Sequence, residues 1–183
     1  MLFTQFGRKT RRMIRGCVLS LLPLLFFAGT AFSATDITSN AKIVADKKSL
    51  NGILITFQEA EKNLKKERLP GIMALYSGRY ENRGINKTTL KAVWQDIFTR
   101  YDQLSSRHLF SKIIVDQKKG TAQVTCTGAL FGTSILQKTG SLSIDHWFEA
   151  IHYLVLEKGQ WKIIGHDPAA GSSSFGSAIH LLF

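Results

Sequence analysis

The side chains best suited to chemistry in this sequence are a set of histidines on one strand-like segment and its successor. His146 and His152 stand six positions apart, which puts both on one face of a strand, while Asp145, Trp147 and Glu149 share the other. A tight turn at Lys158–Gly159 would bring His166 beside His152, because cross-strand neighbours sit about 5 Å apart. Two imidazoles with a carboxylate nearby can ligate zinc, or can act as a base with its orienting group. The spacing matches no established metal motif, and a polar pair on a strand is more often hydrogen-bonded or exposed. No metal and no cofactor is therefore expected.

Other chemistries find little support. Cys126 sits in the strand-like run Gln123–Ala129 with no base near it in sequence, so it reads as a small buried hydrophobe rather than a nucleophile. The sequence holds no phosphate-binding glycine loop, no serine nucleophile elbow and no His-Glu-x-x-His. Lys62, Lys65, Lys66 and Arg68 form a basic run, but no aromatic stacking surface accompanies it. Nucleic-acid binding is not expected, and an anionic lipid or an acidic protein patch is the better use of that charge.

The elements that must position these groups begin after an N-terminal leader. Arg8, Lys9, Arg11, Arg12 and Arg15 precede an apolar run from Cys17 to Ala28, and Ala31 and Ser33 supply small residues for a signal peptidase. Cleavage is expected after Ser33, since cleavage after Ala34 would place bulky Phe32 in the third subsite. The apolar stretch is shorter than the roughly 20 residues that a membrane-spanning helix needs, so the mature form is not expected to span a membrane. Arg11–Arg12 resembles a twin-arginine signal, but Arg15 stands where that signal wants an apolar residue, and ordinary export of the unfolded chain is preferred. The whole chain carries 24 basic and 13 acidic side chains, so removing the leader's 5 basic ones leaves a net charge of +6. That value is ordinary for a soluble domain.

After the leader, residues 34–47 are small and polar and read as a flexible lead-in. Leu50, Ile53, Leu54, Phe57, Ala60, Glu61 and Leu64 then recur at helical spacing. Pro70 suits the first turn of a second, short helix. Asn86 is placed to cap a third, along which Leu90, Val93, Trp94, Ile97, Phe98, Tyr101 and Leu104 recur. Beyond Ser105 the period becomes two, which predicts strands over 107–117, 121–132, 141–157 and 160–167. The expected fold is α+β: three N-terminal helices packed on a strongly curved antiparallel sheet. Ile113, Val124 and Ile151 are assigned to the sheet's outer face, where they would suit a homodimer. The globular domain is placed at 48–167 and a C-terminal tail at 168–183, polar first and then apolar from Phe175.

The segments Met73–Ser77, Trp94–Phe98, Ala122–Gly128 and Leu156–His166 resemble the nuclear transport factor 2-like superfamily, the cone-like fold shared by ketosteroid isomerase and the polyketide cyclases of the SnoaL type. The resemblance spans about residues 48–167 and implies a conical cavity between helices and sheet. Trp94, Phe98, Tyr101, Trp147, Tyr153 and Trp161 would line it, with His108 at its mouth. An isomerase of that kind needs a carboxylate base and a phenol to receive oxyanion charge. The candidates are Asp96 or Asp145 with Tyr76, Tyr80 or Tyr101, beside His152 and His166, although none sits in a recognisable catalytic motif. Asp96 also turns away from the apolar face of its helix. The leading reading is a noncatalytic exported domain, periplasmic or secreted, that binds a small apolar molecule or an envelope protein. The alternative is a general acid-base isomerase, cyclase or hydrolase acting on a small organic substrate, and a third is a structural or assembly protein. Intact-mass measurement on protein recovered from its own host is expected to show a chain beginning at Ala34. A retained N-terminus would identify an uncleaved anchor instead.

Overall fold

The computed structural model describes residues 35–138 and 140–167, so the expected leader and C-terminal tail lie outside the described residues. Strand β1 (Thr35–Val44) is followed by helices α1 (Lys47–Lys65) and α2 (Leu69–Met73) and by a two-residue ladder of β2 (Glu81–Asn82) and β3 (Ile85–Asn86). Helix α3 (Lys87–Arg100) then leads into β4 (Tyr101–Asp116), β5 (Thr121–Ser134), β6 (Ser141–Glu157) and β7 (Gln160–Asp167).

Local signals account for the helices. The Asp46 carboxylate accepts the Ser49 N–H at 2.8 Å and caps α1, and the Asn86 side chain accepts the N–H groups of Thr88 and Thr89, both at 3.0 Å, and caps α3. Ile53, Phe57, Ala60 and Leu64 form the buried stripe of α1, and Leu90, Trp94 and Ile97 that of α3. Glu61 falls on the inner face of α1 because its carboxylate has work there. It accepts the Ser106 N–H at 2.7 Å and the Ser106 hydroxyl at 3.0 Å, and it pairs with Lys65 at 3.0 Å.

The expected architecture requires correction. The five main strands form one open, mixed sheet in the order β1-β4-β5-β6-β7, with β1 parallel to β4 and the remaining neighbours antiparallel. It is neither an all-antiparallel sheet nor a strongly curved, cone-like one. The missed strand lies in the supposed lead-in. On β1 only Thr35 is buried, so no apolar alternation marks it. Its parallel pairing needs a long crossover, which the segment containing α1 to α3 supplies.

Two further assignments move. Helix α3 stops at Arg100, and Tyr101, with an extended φ of −132° and ψ of 140°, starts β4. Leu104 fits both a helical step from Tyr101 and a strand step to Ser106, His108 and Phe110, so spacing alone could not locate the boundary. Ile113 and Val124 are fully buried on the helix-covered side of the sheet, not on its outer face, while Ile151 is half-buried. A β-bulge in β4 between Phe110 and Lys112 carries Ile113 to the inner side.

Strand β5 gives way to an indole at Gly128. A Cβ there would run into the Arg107 carbonyl oxygen and stand 2.5 Å from Trp147 Cζ2, so the absent side chain is what lets Trp147 lie across the strand. Gly128→Ala is expected to cost about 1–3 kcal/mol through overpacking, measured as a lowered midpoint in urea unfolding. An unchanged midpoint would contradict this packing.

Candidate functional site

Several of the polar residues singled out from the sequence, His108, His152, His166, Tyr76, Tyr80 and Cys126, lie buried in the core. His152 on β6 faces His166 on β7 in direct register, with ring centroids 5.7 Å apart, and the Tyr80 hydroxyl lies 3.0 Å from His166 Nε2. Phe57 of α1 stands over the sheet, 4.9 Å from the His108 ring and 5.7 Å from that of His152. His108 Nδ1 lies 3.7 Å from Cys126 Sγ, and the Trp147 indole N–H donates to that sulfur at 3.3 Å. On the other side, Tyr76 packs edge-on against Tyr80 at 5.2 Å, and its hydroxyl accepts the Trp94 indole N–H at 3.3 Å.

A bulge in β6 brings Trp147 into this group. Between Trp147 and Ala150 the strand holds one residue more than its partner, and Glu149 adopts a left-handed φ of 46°. The inserted residue reverses the alternation. Trp147 and His152 therefore face the core together, whereas His146 is exposed. The expectation that His146 and His152 share a face with Trp147 opposite is corrected accordingly, because a count of two per side holds only while the ladder is regular.

These groups are sealed from solvent. His152, His108 and His166 are 0%, 2% and 6% exposed. Burial pushes the phenols of Tyr76 and Tyr80 well above their usual range, and the charges of Tyr80 and Asp145 add to the effect at Tyr76. The Cys126 thiol is pushed up to about 12, again chiefly by burial. Among the described residues, no three His, Cys, Asp or Glu side chains are grouped to hold a metal ion. Asp145 is half-exposed and near enough to act on Tyr76, and Asp96 is exposed on α3 and paired with Arg100 at 2.8 Å. The Tyr153 hydroxyl donates to Asp167 at 2.7 Å, Phe98 is half-buried beside Trp94, and Tyr101 is half-buried at the start of β4. The six aromatic residues expected to line one cavity are thus distributed among different surroundings.

An open site lies elsewhere, where α1 and α2 meet β7. A cleft of about 440 Å³ is bounded by Ile55 and Thr56 of α1, by Ala74 and Leu75 after α2, and by Trp161 and Lys162 of β7. Its floor depends on close approach. A Cβ at Gly52 would meet the Trp161 ring at 2.9 Å, and the Thr56 hydroxyl donates to the Trp161 carbonyl at 3.0 Å. Gly71 likewise lets α2 rest on Asn63 of α1, whose side-chain amide fills the space that a Cβ would need. Only Trp161 of the expected ligand-binding residues lines this cleft. The signal that could have located it is the pair of glycines, Gly52 inside a helix where it costs about 1 kcal/mol and Gly71 directly after Pro70.

A second cleft of about 490 Å³ adjoins the first at Ala74, Gln160 and Lys162, and Tyr76, Lys87, Glu157 and Lys158 also line it. The Lys87 ammonium donates to the Tyr76 carbonyl at 2.5 Å, and that of Lys162 to the Ala74 carbonyl at 2.5 Å. Burial lowers the pKa of both lysines, and at Lys87 the charge of Lys162 lowers it further. Glu157 is held below the usual carboxylate range by the Ser77 hydroxyl and by Arg79.

No family model matches the sequence, and no curated protein does. Solved structures do share the fold. Aln2 from a Streptomyces species is 16% identical over 67% of this chain and 91% of its own, with a TM-score of 0.52. A conserved protein from Planctomyces limnophilus is 13% identical over 66% of this chain and 94% of its own, with a TM-score of 0.54. At this level of identity the likeness shows a shared fold alone.

The raised pKa and full burial of Cys126 give a direct check on the core. Iodoacetamide is expected to leave the native protein unmodified over hours at pH 8 and to alkylate it fully in urea. Rapid native labelling would show that the histidine group is open to solvent.

Proposed function

We propose that the mature chain is an exported, noncatalytic domain that binds a small apolar molecule in the cleft between α1, α2 and β7. The carrying observation is the division between the two polar regions. The imidazoles and phenols that could transfer protons are packed into the core, whereas the accessible concavity sets the apolar side chains of Ile55, Leu75 and Trp161 among the polar ones of Glu59, Asn63, Arg68, Gln160 and Lys162. Concave, largely apolar clefts of this size suit small ligands. A general base must reach its substrate within hydrogen-bond distance, and side chains as covered as His152 and Tyr76 serve better as core groups than as catalysts. Export to the periplasm or medium rests on the leader sequence, and an envelope protein docking over the same cleft is the competing partner. Among the described residues no helix is long and apolar enough to cross a membrane.

Titration with the neutral fluorescent probe N-phenyl-1-naphthylamine tests this reading. Saturable binding at one site is expected. Ala74→Phe, at an exposed position lining both clefts, should weaken it by about tenfold or more, equivalent to at least ~1.4 kcal/mol, without lowering the melting temperature. Absence of saturable binding, or equal affinity in the variant, would overturn the assignment.

A further inference from the structure

The second cleft says what kind of apolar molecule the first would take. Three lysines, Lys87, Lys158 and Lys162, converge on it from α3, the β6–β7 turn and β7, against the single carboxylate of Glu157. That carboxylate is already engaged, accepting the Ser77 hydroxyl at 2.7 Å and pairing with Arg79 at 3.3 Å. Among the described residues, none of the three ammonium groups lies within ion-pair distance of an acid. Lys87 and Lys162 instead donate to neutral acceptors, the carbonyls of Tyr76 and Ala74 and the Gln160 side chain. An ammonium has three protons to donate, so one or two on each of these lysines remain for a ligand. The excess positive charge also adjoins the apolar side chains of the first cleft, since Lys162 and Ala74 border both clefts.

We infer that the bound molecule is an amphipath whose apolar body lies along Ile55, Leu75 and Trp161 and whose acidic head, a carboxylate or phosphate, is received by Lys87 and Lys162. This rests on the cleft being a binding site, and it adds the charge and direction of the ligand. Lys158, on the exposed hairpin turn, contributes long-range attraction that salt should screen. The arrangement places the head group at the junction of α3 with the loop that follows α2, and the tail toward α1.

Displacement of N-phenyl-1-naphthylamine by dodecanoate, dodecyl phosphate and 1-dodecanol separates the two claims. At least one of the acids is expected to bind about tenfold or more tightly than the alcohol, with the preference shrinking as salt is raised. Lys87→Met with Lys162→Met should bring acid affinity down to that of the alcohol measured in the same variant, with probe binding still saturable, and Lys162→Arg in place of Lys162→Met should restore part of the difference. Retained probe binding in the double variant also serves as the check on folding. Equal affinity for acids and alcohol in the native protein, or an undiminished preference in the double variant, would overturn the acidic-head assignment while leaving the apolar site standing. If the native protein failed to bind the probe at all, the underlying site would fall instead.

Discussion

Two backbone hydrogen bonds on β7 tie together the walls of the two clefts in this domain. The Ser77 N–H donates to the Ile163 carbonyl and the Ile163 N–H to the Leu75 carbonyl, both at 2.9 Å, so the loop after α2 is strapped to the strand as a single parallel bridge. An exposed strand edge invites pairing with another chain, and the strap occupies part of it. The strap also fixes the carbonyls of Ala74 and Tyr76 where Lys162 and Lys87 meet them, and it forms one wall of each cleft. Covering an edge and building a concavity are here one arrangement.

Close approach on the opposite wall depends on the absence of side chains. Helix α1 reaches the Trp161 ring because Gly52 has no Cβ, and Thr56 then ties the helix to the Trp161 carbonyl. The loss of helix propensity at Gly52 is offset by contact with a large buried indole, which contributes far more apolar area than one glycine costs. A helix interior glycine is thus a packing device here, and Gly128 beneath Trp147 is its counterpart in the sheet.

The buried histidines illustrate how polar chemistry can be absorbed into a core. Tyr80 is paired with His166, and Cys126 with His108 and Trp147, inside the core. A satisfied buried polar group costs little, whereas an unsatisfied one is expensive. Such a network orders a core as readily as it would serve a reaction, and its burial is what separates the two roles.

Much of the scaffold could be read from residue order because its causes are local. The capping of α3 by Asn86, the buried stripe of α1, the hairpin at Lys158–Gly159 and the spans of β6 and β7 follow from side-chain periodicity and from the few residues that favour a cap or a turn. Strand β1 escaped because an exposed edge strand carries no apolar alternation, and the end of α3 escaped because Leu104 satisfies both periods. Which histidine enters the core was decided by one inserted residue at Glu149, and such a bulge arises from the fit between β5 and β6 rather than from either strand alone. The clefts likewise exist only where α1, α2, α3 and the edge of β7 come together. Periodicity reports the environment of each segment separately, while concavity and charge convergence are properties of surfaces that distant segments make jointly.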